Sequence, residues 1–427
     1  MRPVDRNRRD FLKSFAGVAV AGPVLGRLEA IEHTFAAELH DLGQTPWETL
    51  EAQSLRDRYM LDSAVVYLNH ASIGTIPRQV HDARVEYLAL CESNPWLYMW
   101  GAPWQPIREG VRAGAAAVLG VPSSDLTITH NTTEGFNLLA NGLPLGPGDE
   151  VVFSTLNHDG ASVCWELAAA RRGFTVRRFD FPVTDVRGMS ISDVVELHRR
   201  QLRPETRVLV FPHVDNAVGL RHPLAELVAM AKAEGVEYVA VDGAQTVGMI
   251  PLDLAASGVD AYSASPHKWL QSPKGLGLLY VRADLRPQLE PMWVTWGQRR
   301  WAGTGRIYED YGTRNLPEVM ALGDAIDFQA ALGSAEKERR YQQMHTALRE
   351  RVLSTPGLEW ASPETWDMGA SLVAVGISGS ASQVSRDLFA RAGIVLRPFQ
   401  TMGLNALRIS PNVNTLQSDL DAFFEEV

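Results

Sequence analysis

The sequence predicts an α/β protein, a mainly parallel seven-stranded sheet between helices joined to a smaller α+β domain. From about Val65 to Val281, apolar β-branched runs alternate with longer stretches of helical periodicity. Beyond Leu316 that alternation gives way to long helical patterns and then short strand-like pieces. The length of 427 residues agrees, being more than one small core requires and suited to two domains.

The first 26 residues stand apart from this pattern. Arg2, Arg6, Arg8, Arg9 and Lys13 form a basic start, followed by the apolar stretch Ser14 to Leu25, with Ala19-Val20-Ala21 as a small-residue cleavage pattern. The stretch is too short to span a membrane and has the layout of an export signal. Asn7-Arg8-Arg9-Asp10-Phe11-Leu12-Lys13 resembles the twin-arginine export motif, which implies passage of a folded protein to the periplasm with cleavage near Ala21. A plain amphipathic helix is the other reading. Cleavage there would remove five basic and two acidic residues, leaving 35 against 48 and a net charge of −13. A surface of that sign does not attract phosphate backbones, so no nucleic-acid partner is expected.

Residues 27–64 are expected to form an N-terminal helical segment, 65–310 the large domain and 311–427 the small C-terminal domain. In the large domain the strand candidates are Val65–Leu68, Leu126–Thr129, Glu150–Ser154, Thr175–Phe179, Val208–Phe211, Tyr238–Val241 and Gly277–Val281. Helical stretches such as Thr133–Asn141, Ser162–Arg171 and Pro223–Ala233 lie between them. Several strands end in polar clusters, where open α/β sheets place their ligands. In the second domain, helices are expected over Glu318–Leu332, Glu336–Leu353 and Leu416–Phe424. Only Cys91 and Cys164 are present, both in apolar helical contexts; they support neither a disulfide framework nor a zinc ribbon, and two buried free thiols are expected.

Three of the polar clusters hold residues suited to chemistry. Lys268, in Ala264-Ser265-Pro266-His267-Lys268-Trp269-Leu270, sits among apolar and small residues after a strand. Desolvation lowers the pKa of such an amine and makes it a nucleophile, although a lysine at a strand end is more often simply solvated. Asp242, at the end of the strand beginning at Tyr238, can pair with a protonated ring nitrogen or can cap a helix. Asn131-Thr132-Thr133-Glu134-Gly135 opens a helix after a strand, which suits a phosphate or ordinary capping.

Taken in order, these pieces resemble the class V aminotransferase family, within the type I fold of pyridoxal 5'-phosphate enzymes. The resemblance runs from Tyr67-Leu68-Asn69-His70-Ala71 to Leu407-Arg408-Ile409-Ser410-Pro411. It implies that Lys268 carries the cofactor as a Schiff base and that 65–310 is the cofactor-binding domain. It makes Thr132, Thr133, Ser265 and His267 phosphate contacts, and His158, in Leu156-Asn157-His158-Asp159, the residue stacked on the ring. It places Asn216 and Gln245 beside the ring oxygen and Asp242 at the pyridine nitrogen. Arg408 then grips a substrate α-carboxylate, Arg397 is a candidate for a second anionic group, and Gly312-Thr313-Arg314-Asn315 reaches the phosphate of a neighbouring subunit through Thr313. That last feature implies a homodimer.

Cysteine desulfurases of this family carry a nucleophilic cysteine shortly before the carboxylate arginine. The matching stretch here, Arg397-Pro398-Phe399-Gln400-Thr401-Met402-Gly403, has none, which argues against that activity. Tyr311-Gly312-Thr313-Arg314-Asn315 through Ala325-Ile326-Asp327-Phe328 looks like the isopenicillin N epimerase-like branch. That resemblance implies chemistry at Cα or the amino group of an amino acid or peptide-like metabolite, by epimerisation or transamination, with Lys268 as one base; no residue is identified as the second base, for which His70 and Tyr67 are guesses, His70 also being a substrate-binding candidate. Lyase chemistry and oxidative deamination or decarboxylation remain alternatives. The export layout resembles that of a periplasmic member of the branch that modifies a pyoverdine siderophore, which implies an exported peptide-like substrate.

A cofactor-free binding module would lack part of the cofactor set, yet every member is present. A dinucleotide-dependent oxidoreductase needs a G-x-G-x-x-G turn after its first strand, and Gly146-Pro147-Gly148 precedes a strand and lacks the third glycine. The tryptophan-rich segments Pro95–Trp100 and Trp293–Trp301 fit either the mouth of a substrate site or a subunit interface.

Overall fold

The computed structural model describes residues 30–31, 33–37, 39, 53–100 and 104–427. The export signal with its cleavage site, and much of the expected helical segment 27–64, lie outside the described residues.

A short strand β1 (Val66–Tyr67) comes first, and seven further strands form the main sheet: β2 (Leu126–Thr129), β3 (Glu150–Ser154), β4 (Thr175–Phe179), β5 (Thr206–Pro212), β6 (Tyr238–Asp242), β7 (Ala261–Ala264) and β8 (Gly277–Val281). Their order is β2-β8-β7-β6-β5-β3-β4. The pairs from β4 to β7 are parallel, and β8 runs antiparallel to both β7 and β2. The sheet has seven strands as expected, but its membership differs in one place. The Val65–Leu68 candidate becomes β1 and pairs outside the main sheet, and the seventh position is taken by Ala261-Tyr262-Ser263-Ala264. That run lacks β-branched residues and is held as a strand by pairing on both sides, with all four residues buried.

Helices cover both faces, as a largely parallel sheet requires. Val151, Phe153, Val208, Val210 and Leu279 face α3 (Thr132–Gly142) and α4 (Asp159–Arg172) through Phe136, Leu139 and Trp165. The alternate residues Val152, Leu209, Phe211 and Leu278 face the opposite core, which includes α2 (Trp104–Leu119), α5 (Ile191–Arg199) and α6 (Leu224–Ala233). Helix α7 (Leu316–Leu332) is buried along most of its length and packs against α1 (Arg78–Ser93) and α2.

After α8 (Ser334–Ser354) come the remaining strands: β9 (Leu358–Trp360), β10 (Val373–Ile377), β11 (Ile394–Val395), β12 (Arg397–Phe399) and β13 (Ala406–Ile409). Four of them form an antiparallel sheet in the order β12-β13-β10-β9, while β11 pairs in parallel with β1. Helices α9 (Ala381–Ala392) and α10 (Gln417–Glu426) complete this part. Cys91 and Cys164 are both buried and free, and burial raises their thiols to about 11 and about 12. Among the described residues no helix is long and apolar enough to cross a membrane.

Candidate active site

The carboxyl ends of the parallel strands converge on one cleft, with an empty volume of about 460 Å³ counting its open mouth. Eight of the residues expected at the site line it: Thr132, Thr133, His158, Asn216, Asp242, Gln245, Ser265 and Lys268. Gly160, Pro212, Val214 and Ala244 complete the lining and were not foreseen. They carry no functional group that sequence could have flagged, and they take part because they neighbour residues that do.

Lys268 follows β7 on a turn in which its N–H reaches the Ser265 carbonyl at 3.4 Å. The Gly74 N–H donates to the His267 carbonyl at 3.0 Å, and a Cβ at Gly74 would lie 2.2 Å from the Lys268 carbonyl oxygen. Only glycine permits this approach, which fixes the lysine turn from outside. Burial lowers the Lys268 amine from the ordinary 10.5 to about 8. Asp242 opposes that shift, while Arg408 and Arg397 add to it.

Asp242 ends β6 with its carboxylate buried, and Oδ1 accepts the Ala244 N–H at 2.9 Å. Burial raises its pKa, against the pull of the Ala244 N–H, Lys268 and His158. Behind it the Tyr262 hydroxyl bonds to Thr246 and, at 2.9 Å, to His213 Nδ1.

His158 is the N-cap of α4, and its Nδ1 accepts the Gly160 N–H at 3.0 Å. The neutral ring therefore carries its proton on Nε2. Its pKa lies below the ordinary value through desolvation, partly offset by Asp242. Gln245 donates from Nε2 to the Ala71 carbonyl at 2.9 Å and accepts from Trp269 Nε1 at 2.8 Å, leaving one Nε2 hydrogen for a ligand.

At the other end of the cleft α3 presents its N-terminus. Asn131 caps it by accepting the Glu134 N–H at 2.8 Å, and Thr132 Oγ1 lies 2.7 Å from Ser265 Oγ. Hydroxyls beside free helical N–H groups make an anion site. One phosphate contact expected in this cleft lies outside it, and Thr313, expected at a neighbouring subunit's phosphate, is not in the lining either. His267 does not line the cleft, and its Nδ1 is buried with no partner among the described residues. Thr313 is exposed, on a segment anchored by Tyr311 to Glu134 at 2.9 Å and by Arg314 to the Ile128 carbonyl at 3.1 Å.

The remaining candidates stand behind or beside the cleft. Arg408 is buried and donates to the Asn216 carbonyl at 2.9 Å, Asn69 Oδ1 at 2.8 Å and Ser72 Oγ at 2.6 Å. Ser72 was not foreseen, although the neighbouring motif Tyr67–Ala71 was. His70 is fully buried outside the lining, with Nδ1 at 3.3 Å from the Ser410 carbonyl, and burial drives it down to about 3. Arg397 is exposed and lies over Phe399. The tryptophan-rich segments do not line the cleft: Trp96, Trp293 and Trp296 are exposed.

These features define a site for a phosphorylated, ring-nitrogen cofactor held by an amine. A hydroxyl-lined helix terminus suits its phosphate, Asp242 is a buried carboxylate with no ion pair among the described residues, and Lys268 supplies a half-buried amine of lowered pKa. The match to known proteins agrees. Residues 66–420 fit the model of the family described as aminotransferase class V. The chain is 36% identical over 323 residues to an isopenicillin N epimerase of Amycolatopsis lactamdurans, covering 72% of this chain and 80% of that one. It is 29% identical over 392 residues to an isopenicillin N epimerase of Streptomyces clavuligerus, covering 86% and 96%. Cysteine desulfurases are relatives too: one from Escherichia coli is 30% identical over 322 residues, covering 70% and 75%. Among solved structures, a mutant of C-DES with glycine covalently linked to its pyridoxal-phosphate cofactor superposes with a TM-score of 0.78 at 24% identity, covering 87% and 98%. The chain belongs to the class V aminotransferase family, with the type I fold, and pyridoxal 5'-phosphate is its cofactor.

Proposed function

We propose that this enzyme exchanges or removes a proton at Cα of an amino acid or peptide-like metabolite, as an epimerase or aminotransferase of the isopenicillin N epimerase-like branch. One observation carries the reading: Lys268, with its amine near pKa 8, shares a cleft with Asp242 and His158. When bound, the cofactor supplies the electron sink for the bond broken at Cα.

The chain's own groups divide the remaining work. Thr132, Thr133 and Ser265 hold the phosphate end at the N-terminus of α3, and His158 covers the ring with its orientation fixed by the Gly160 N–H. Asp242 would hold a proton on the ring nitrogen of the bound cofactor, and Asn216 and Gln245 would meet its ring oxygen. In a homodimer the exposed Thr313 would reach the phosphate of the neighbouring subunit. Arg408 orients the substrate by its carboxylate. Lys268 Nζ, once free, takes the Cα proton, and a base of pKa near 8 is well matched to neutral pH.

The relatives that are isopenicillin N epimerases favour proton exchange, and those that are cysteine desulfurases leave that activity as the second reading. The 397–403 stretch carries no cysteine, and Cys91 and Cys164 are buried outside the cleft lining, which weighs against it. The twin-arginine pattern supports export to the periplasm, and replacing Arg8 and Arg9 by lysine should retain the protein in the cytoplasm of a bacterial host.

The test of the activity is spectroscopic. The wild type should be yellow, and borohydride should fix the cofactor to Lys268; Lys268→Ala should form no such adduct. A panel of amino acids and siderophore-like peptides in deuterated water should then include one whose Cα hydrogen is exchanged. A colourless wild type that borohydride cannot label, or a substrate cleaved with release of sulfur and no Cα exchange, would overturn the proposal.

A further inference from the structure

The four-stranded sheet places two arginines directly opposite each other. Arg397 on the edge strand β12 is the cross-strand partner of Arg408 on β13, so both side chains leave the same face. Phe399, two residues along β12, shares that face and lies against both guanidinium groups, 5.1 Å from that of Arg397 and 5.6 Å from that of Arg408. Like charges in this arrangement are destabilising unless a nearby carboxylate offsets them.

No carboxylate does so here. Arg397 makes no hydrogen bond or ion pair among the described residues. Arg408 is almost wholly buried, yet all three of its hydrogen bonds go to neutral oxygens, and its Nε has no partner among the described residues. The carboxylate that favours its charge, Asp215, is occupied with the N–H groups of Ala217, Val218 and Leu220, at 2.7, 2.8 and 2.6 Å. A buried guanidinium with no anion is costly unless a ligand supplies one.

Neither arginine lines the cleft, but both lie beside it. Arg408 is bonded to the backbone of Asn216, a cleft residue, and the charge of Arg397 acts on both Lys268 and His158. We infer that the substrate is a dianion, with one carboxylate on Arg408 and a second carboxylate on Arg397, the two guanidinium groups spaced by Phe399. The inference rests on the proposed reaction at an amine, because it takes the α-carboxylate to lie on Arg408.

Calorimetric titration of the holoenzyme with chain-matched acids that carry no amine tests it: glutarate against pentanoate, and adipate against hexanoate. At an ionic strength of about 0.15 M, at least one diacid should bind about tenfold or more tightly than its monoacid. Arg397→Gln should bring that diacid to the level of its own monoacid, both measured on the variant, and an unchanged visible spectrum and thermal unfolding midpoint report that the variant is folded. Equal affinities within both pairs, no binding of any acid, or a preference that survives Arg397→Gln overturns the inference. A preserved diacid preference in an enzyme whose visible band responds to no amino acid refutes the amine reading alone.

Discussion

Removing Lys268 should stabilise the cofactor-free protein, and by an amount that depends on pH. Burial lowers this amine from 10.5 to about 8, so the folded state penalises the ammonium form. The unfolded chain therefore binds the proton more tightly than the folded one, and unfolding stability rises with pH wherever that difference is realised. The penalty is fully present below pH 8 and is relieved between about 8 and 10.5 as the unfolded lysine also loses its proton. The two pKa values correspond to about 3 kcal/mol, an upper figure because the amine keeps some contact with water through the cleft. Lys268→Met should thus be more stable than the wild type near neutral pH, and the gap should shrink by about 3 kcal/mol on going to pH 10.5. Packing differences between lysine and methionine cancel in this comparison, because only the pH dependence of the gap is read. Urea unfolding of both cofactor-stripped proteins at several pH values provides the measurement. A gap that stays constant, or one that widens with pH, refutes the claim that Lys268 is held against its charged form.

Three further outcomes follow from individual contacts. Asp242→Asn should keep the yellow colour but lower kcat by about 10²–10³-fold, since the ring nitrogen loses its carboxylate; unchanged turnover would dismiss Asp242 from that role. Asn131→Ala removes the cap on the Glu134 N–H and should cost about 1 kcal/mol of stability while weakening cofactor retention on dialysis. Glu309→Gln breaks a buried pair in which both carboxylate oxygens meet Arg112 at 2.7 Å and one also accepts the Ile128 N–H. Arg112 then keeps only the more exposed Glu109 carboxylate at 3.0 Å, so chemical denaturation should show a loss of about 2–3 kcal/mol, and a loss below about 1 kcal/mol would mean that Glu109 alone satisfies the guanidinium.

The cofactor side of the site was legible because its residues are local to strand ends. Asp242 at the tip of β6, the hydroxyls opening α3 and Lys268 after β7 each sit where a short stretch of chain sets both position and chemistry. His158 was legible for the same reason, its place at a helix start serving both the cap and the cleft. What escaped depends on pairing between distant segments. Ala261–Ala264 is a strand because β6 and β8 flank it, and nothing in its composition says so. Val66 and Tyr67 have strand character but leave the main sheet because their partners are Ile394 and Val395. The substrate side is wholly of this second kind. Arg397 and Arg408 could be named as cations from the sequence, yet a shift of one residue in the β12–β13 register would send one of them to the opposite face. Only the register makes them neighbours, and only the burial around Arg408 turns two positive side chains into an unmet demand for negative charge. For that reason the arginine pair, rather than the cofactor set shared by the family, is where this chain's choice of substrate should be sought.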